Sequence, residues 1–190
     1  MSDQLHSSER QLNEKFYADV DEKLVKDLRE DLGDDVDARA LAAATGIVDS
    51  DLVTELVRLG VSAETLAAFR MIPLLHVAWC DGQLQPSERE VLLDAACRRN
   101  MARGSAAYRV LDEWMERPPR SELMTAWKKY LEEMCDGLSS TAISVLRSEI
   151  VGQAEMVAQA AGGILGIAAT SKAEKKALET IRTAFNQAAA

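Results

Sequence analysis

Asp81 and Glu88 are the residues whose type and spacing most directly suggest chemistry. They belong to the run Trp79-Cys-Asp-Gly-Gln-Leu-Gln-Pro-Ser-Glu88, in which an apolar segment meets Asp-Gly, crosses a short loop and enters a helix led by a glutamate. Two carboxylates so placed can act in either of two ways. Asp81 can close an Asx-type turn while Glu88 caps the helix it leads, each accepting from backbone N–H groups left over at a helix start. The two can instead converge on a divalent cation. Ca²⁺ takes roughly six to eight oxygens, more than this loop supplies, and Gln83 and Gln85 stand where an EF-hand loop has acids. A metal site on Asp81 and Glu88 is therefore weak, or shared with a partner or another segment.

The glutamate has a counterpart further along. Ser87-Glu-Arg-Glu-Val-Leu-Leu-Asp-Ala95 aligns with Ala173-Glu-Lys-Lys-Ala-Leu-Glu-Thr-Ile181. In both, apolar residues follow the first glutamate at i+3, i+4 and i+7, which puts Glu88 and Glu174 at the centre of a buried stripe. Both should point inward at a helix N-terminus, where the helix dipole favours a carboxylate. Ser171-Lys-Ala-Glu174 reads as a capping box. Gln85 is a poor N-cap, so the first copy needs an oxygen from elsewhere, and Asp81 is the nearest. Cys135-Asp-Gly137 repeats the triplet of Cys80-Asp-Gly82 at another helix end without the loop and glutamate, so part of the signal is ordinary helix termination.

His76 and Cys80, four apart, could share a metal or pair as base and nucleophile, but no second His or Cys lies close in sequence, and burial in a helix seam is the simpler reading. No Ser-His-Asp set, phosphate loop or nucleophile elbow is present, so no catalytic residue is assigned.

Helices must position these groups. Apolar residues spaced by four predict a helix over 7–32 ended by Gly33, then short helices through Ala44 and from Asp49 or Ser50 to Gly60. Ser62 opens a helix to Cys80 that Pro73 kinks or splits. Further helices are expected from Pro86 to about Met101, Ser105 to Met115, Ser121 to Met134, Ser139 or Ser140 to about Ala161, and Lys172 to Ala188. No alternating strand pattern occurs, so the fold class is all-α, a bundle of some nine helices. Residues 1–60 form an acidic helical extension and 61–190 the main helical domain, and the apolar pattern running through Leu66, Phe69 and Ile72 predicts that the two pack together.

Charge bounds the partners. The chain of 190 residues has a formal net charge of −9, with sixteen acids against eight bases in residues 1–70 and near balance afterwards. That disfavours general nucleic-acid binding. The stretch from Arg98 to Lys129 runs the other way, with eight bases and four acids, and as a surface it would suit an acidic protein, a phosphate or an anionic membrane, or simply be a solvated face. The longest apolar run, Met156 to Ala169, is short of the roughly 20 residues a spanning helix needs. Gly162-xxx-Gly166 suits close helix packing. Three cysteines without a CxxC pair and a start lacking an apolar signal segment lead to the expectation of a cytoplasmic protein. The partner is expected to be another protein, with peripheral membrane contact left open.

The run Val77-Ala-Trp-Cys-Asp-Gly-Gln-Leu-Gln-Pro-Ser-Glu-Arg-Glu-Val-Leu-Leu93 resembles the signature of the TerB-like tellurite-resistance family, and Gly162-Gly-Ile-Leu-Gly-Ile-Ala-Ala-Thr-Ser-Lys-Ala-Glu174 looks like its second half. Together they cover roughly residues 65–188. The resemblance implies an all-helical bundle of two TerB-like half-repeats, a role in stress response or intracellular assemblies, and an acidic metal site matching Asp81 and Glu88. The chain departs from the pattern at Cys80, where alanine is usual, and at Ala168-Ala-Thr-Ser171, where Asp-Gly is missing. The expectation is a non-enzymatic interaction or scaffold module with a weak divalent-cation site; the alternative is a metal-dependent sensor or enzyme using Asp81 and Glu88.

Overall fold

Leucine, alanine and methionine at helical spacing, with caps and stops between them, produce helices throughout the described part of the chain. The computed structural model describes residue 33, residues 35–161 and residues 171–189. The expected helix over 7–32 and the Gly162-xxx-Gly166 segment lie outside them. Nine helices occur among the described residues, and no strand: α1 (35–45), α2 (Ser50–Arg58), α3 (Leu66–Phe69), α4 (Ile72–Ala78), α5 (Pro86–Arg98), α6 (Ala106–Glu116), α7 (Ser121–Asp136), α8 (Ser140–Ala161) and α9 (Lys172–Ala188). The number nine is reached by a different route from the one expected, because the 62–80 segment contributes two helices.

That segment breaks at Arg70 and Met71, so Pro73 falls in the first turn of α4. A proline there lacks only a donor that has no intrahelical acceptor, whereas a continuous helix would drive its ring into the carbonyl of Phe69. The expected stop at Gly33 depends on residues 32 and 34, outside the described ones. One further boundary differs from expectation. Helix α5 ends at Arg98, ahead of Met101, because Asn100 takes φ 54° and the Met101 N–H donates back to the Ala96 carbonyl at 3.1 Å.

Helix α4 is the centre. Six of its seven residues are buried, all but His76, so it is apolar on every side and must be surrounded. Helices α7, α8 and α9 pack around it and α5 against its end, while α8 also lies on α5 and α9. Helix α2 buries Leu52, Val53 and Leu56 against α7, with Lys129 Nζ to Glu55 Oε2 at 2.6 Å across the seam. A single hydrophobic cluster runs from Leu41 to Phe185, so residues 35–60 share the core of the rest and do not form a separate body.

Candidate functional site: an acidic helix junction

Four helix ends meet at one end of the bundle: the C-terminus of α4, the N-termini of α5 and α9, and the C-terminus of α8. Ser87 Oγ donates to the Ala160 carbonyl at 2.8 Å, tying the start of α5 to the end of α8. Two buried glutamates lead into this junction. Glu88 is 2% exposed and Glu174 7%, and they are the only charged side chains buried among the described residues. Their phase is the expected one, since α5 buries Glu88 with Leu92, Ala95 and Ala96, and α9 buries Glu174 with Ala177, Leu178 and Ile181.

Each glutamate turns back on its own helix start. Glu174 Oε2 accepts from the Ser171 N–H at 2.5 Å while Ser171 Oγ accepts from the Glu174 N–H at 3.1 Å, the capping box read from sequence. Glu88 Oε2 accepts from the Gln85 N–H at 2.8 Å. Asp81 does not supply the first turn of α5, as had been expected of it. Its Oδ1 accepts from the Gln83 N–H at 3.0 Å, closing an Asx turn, and Gly82 beside it takes φ 87°. The reason is reach: the turn folds the Asp81 side chain onto its own loop, and Glu88 serves α5 without it.

The carboxylates nevertheless feel one another. Burial pushes Glu88 up to about 7, the Gln85 N–H opposes the rise, and the negative charges of Asp81 and Glu174 add to it. The neighbouring Cys80 thiol is pushed up to about 11 by burial and then by Glu174, Asp81 and Glu88. It therefore holds little thiolate near neutral pH, which removes the nucleophile from the His76–Cys80 pair. His76 is lowered by burial and by Lys128, and lines a cleft with Trp79, Cys80, Pro118 and Pro119.

Fit to a cation can be judged from the oxygens present. Among the described residues no three His, Cys, Asp or Glu side chains form a metal-holding group. Asp81 and Glu88 each spend an oxygen on a backbone N–H, leaving too few for a closed Ca²⁺ shell. A cation here would keep most of its water.

Sequence inspection did not anticipate that Glu174 stands by Asp81 and Glu88; the aligned half-repeats were the signal available. The basic stretch is partly consumed by structure. Arg98 pairs with Asp94, Lys129 with Glu55, Arg120 donates to the Leu59 carbonyl at 3.0 Å, and Arg103, Arg109 and Arg117 are exposed. Trp127 and Tyr130 are core residues, and Trp79 Nε1 donates to the Trp114 carbonyl at 2.8 Å.

Fold and junction together define an all-α bundle that gathers acidic helix starts at one end, and no helix among the described residues is long and apolar enough to cross a membrane. Comparison with protein-family models, curated proteins and solved structures finds no significant match.

Proposed function

We propose that the chain is a non-catalytic, TerB-like interaction module of the cytoplasm, serving a stress-associated assembly by binding another protein, with a weak divalent-cation site at Asp81 and Glu88. The observation that supports this reading is the gathering of Asp81, Glu88 and Glu174, from three different segments, where burial and like charge raise Glu88 to about 7. The cost of burying this carboxylate, with the smaller repulsion from Asp81 and Glu174 added, is relieved by a proton or by a cation, and a cation would tie the starts of α5 and α9 to the end of α4. The exposed arginines of the Arg98–Lys129 stretch offer an acidic partner protein its countercharge.

Calorimetry with Ca²⁺, Mg²⁺ and Zn²⁺ separates the two halves of the proposal. The expected result is weak binding of one of them, strengthening as pH rises through about 7 and lost in Asp81→Ala. No heat from the wild-type chain eliminates the cation half. The interaction half is checked by affinity capture with wild type and an Arg103→Glu/Arg109→Glu variant. A protein retained equally by both is not recognised through the basic surface.

A further inference from the structure

Helices α7 and α8 are joined by three residues, 137–139, yet make little contact along their length, because α8 packs on α4, α5 and α9 instead. Between them lies a cavity of about 270 Å³. Trp127, Tyr130 and Leu131 of α7 and Ile150 of α8 line it as buried apolar surface. Two arginines reach its mouth from other elements: Arg70 between α3 and α4, and Arg99 at the end of α5.

Both guanidiniums are held in place by neutral groups. Arg70 Nε donates to Tyr130 Oη at 3.0 Å, with its guanidinium carbon 5.9 Å from the ring centroid. Arg99 donates to the Ala95 carbonyl at 3.1 Å and to Gln153 Oε1 at 2.6 Å. Neither forms an ion pair among the described residues. They lie close enough for charge to be felt between them: Arg99 is lowered by burial, raised by Glu149 and lowered by Arg70. Glu149 also lines the cavity, so two guanidiniums and one carboxylate leave a single positive charge at an apolar pocket.

We propose that this cavity is a binding site for a small organic monoanion, a carboxylate carried on a short apolar chain, with the carboxylate between Arg70 and Arg99 and the chain along the half-buried Met134 and Leu146, over a floor of Trp127, Leu131 and Ile150. Arginine forks match carboxylate geometry and are the stronger for being oriented in advance. The volume falls just under the roughly 300–1,000 Å³ usual for ligand pockets, which selects a small ligand. One net positive charge is balanced by a monoanion, whereas Glu149 would oppose a dianion. The site lies about 16 Å along α5 from Glu88 at the helical rise, and it does not depend on the acidic junction.

Calorimetry on the full chain with octanoate, octanol and octylammonium tests the proposal. Octanoate should bind at least about tenfold more tightly than octanol, octylammonium should not bind, and Arg70→Met should weaken octanoate by a similar factor. The wild-type chain failing to bind octanoate, or binding octanol equally well, overturns it. So does unchanged octanoate affinity in Arg70→Met. Arg70 is exposed, so that variant should fold, and a thermal melt confirms it; Arg99→Lys, which keeps the charge, should retain more affinity than Arg99→Met.

Discussion

At the residue scale, Glu88 carries most of the meaning. Its inward orientation was legible because helical phase is a local property: apolar residues at i+3, i+4 and i+7 leave the leading glutamate no other side to face. Asp81 beside it was legible too, seven residues away across one loop, but Glu174 was not, since it reaches Glu88 only through the packing of α5 and α9 on α4. The elevated Glu88 value has a definite consequence for stability. An acid near its ordinary 4.5 when unfolded and near 7 when folded binds more protons in the native state, so its contribution is fully present below about pH 4.5 and lost as pH rises through about 7. Glu88→Gln keeps an oxygen for the Gln85 N–H and removes the charge. Its melting temperature should match wild type near pH 5 and exceed it near pH 8, by an amount equivalent to roughly 1–2 kcal/mol. Melts in which the two proteins run parallel across that range would show that burial and its acidic neighbours do not hold Glu88 above its ordinary range.

At the element scale, the chain's punctuation decides where each helix stops and how the loops leave it. Asp49 Oδ1 accepts from the Asp51 and Leu52 N–H groups at 2.9 and 3.2 Å, and Ser105 Oγ from Tyr108 at 3.2 Å, so α2 and α6 begin where small oxygen-bearing residues predicted. The two Cys-Asp-Gly triplets look alike as sequence and differ as structure. Gly82 has φ 87°, in the left-handed region that L side chains avoid, and Gly137 has φ −96°. A Cβ at either meets nothing within 4 Å, so only backbone conformation separates them. Gly82→Ala should therefore cost about 1 kcal/mol or more, while Gly137→Ala should be close to neutral. Equal costs in denaturant unfolding would contradict the different roles of the two turns.

At the scale of the whole molecule, the division near residue 60 marks a change of charge, not of core. Leu56 is fully buried and Leu41 also, in the same cluster as Phe69, Trp127 and Phe185. Leu56→Ala should destabilise by about 2–4 kcal/mol and lower one cooperative transition. If α2 instead melted separately ahead of an unchanged main transition, residues 35–60 would be an independent unit. The expectation that the two parts pack together rested on Leu66, Phe69 and Ile72 continuing the apolar pattern, and that pattern is what α3 and α4 bury.

By itself the sequence determined the all-α class, the helix boundaries after residue 46 other than those of α3, the start of α4 and the end of α5, the caps at Asp49, Ser105 and Ser171, and the inward face of Glu88 and Glu174. These depend on interactions within a few residues, which spacing and side-chain type express directly. Of the two uses of Asp81 open in the sequence, the structure takes the local one, a turn on its own loop; only the tertiary structure decided that Glu174 joins Asp81 and Glu88 and that Arg70 and Arg99 meet at one cavity. The meetings of Arg70 with Arg99 and of Glu174 with Asp81 and Glu88 join residues distant in sequence, and they exist because α4 is apolar on all sides and draws α5, α7, α8 and α9 around itself.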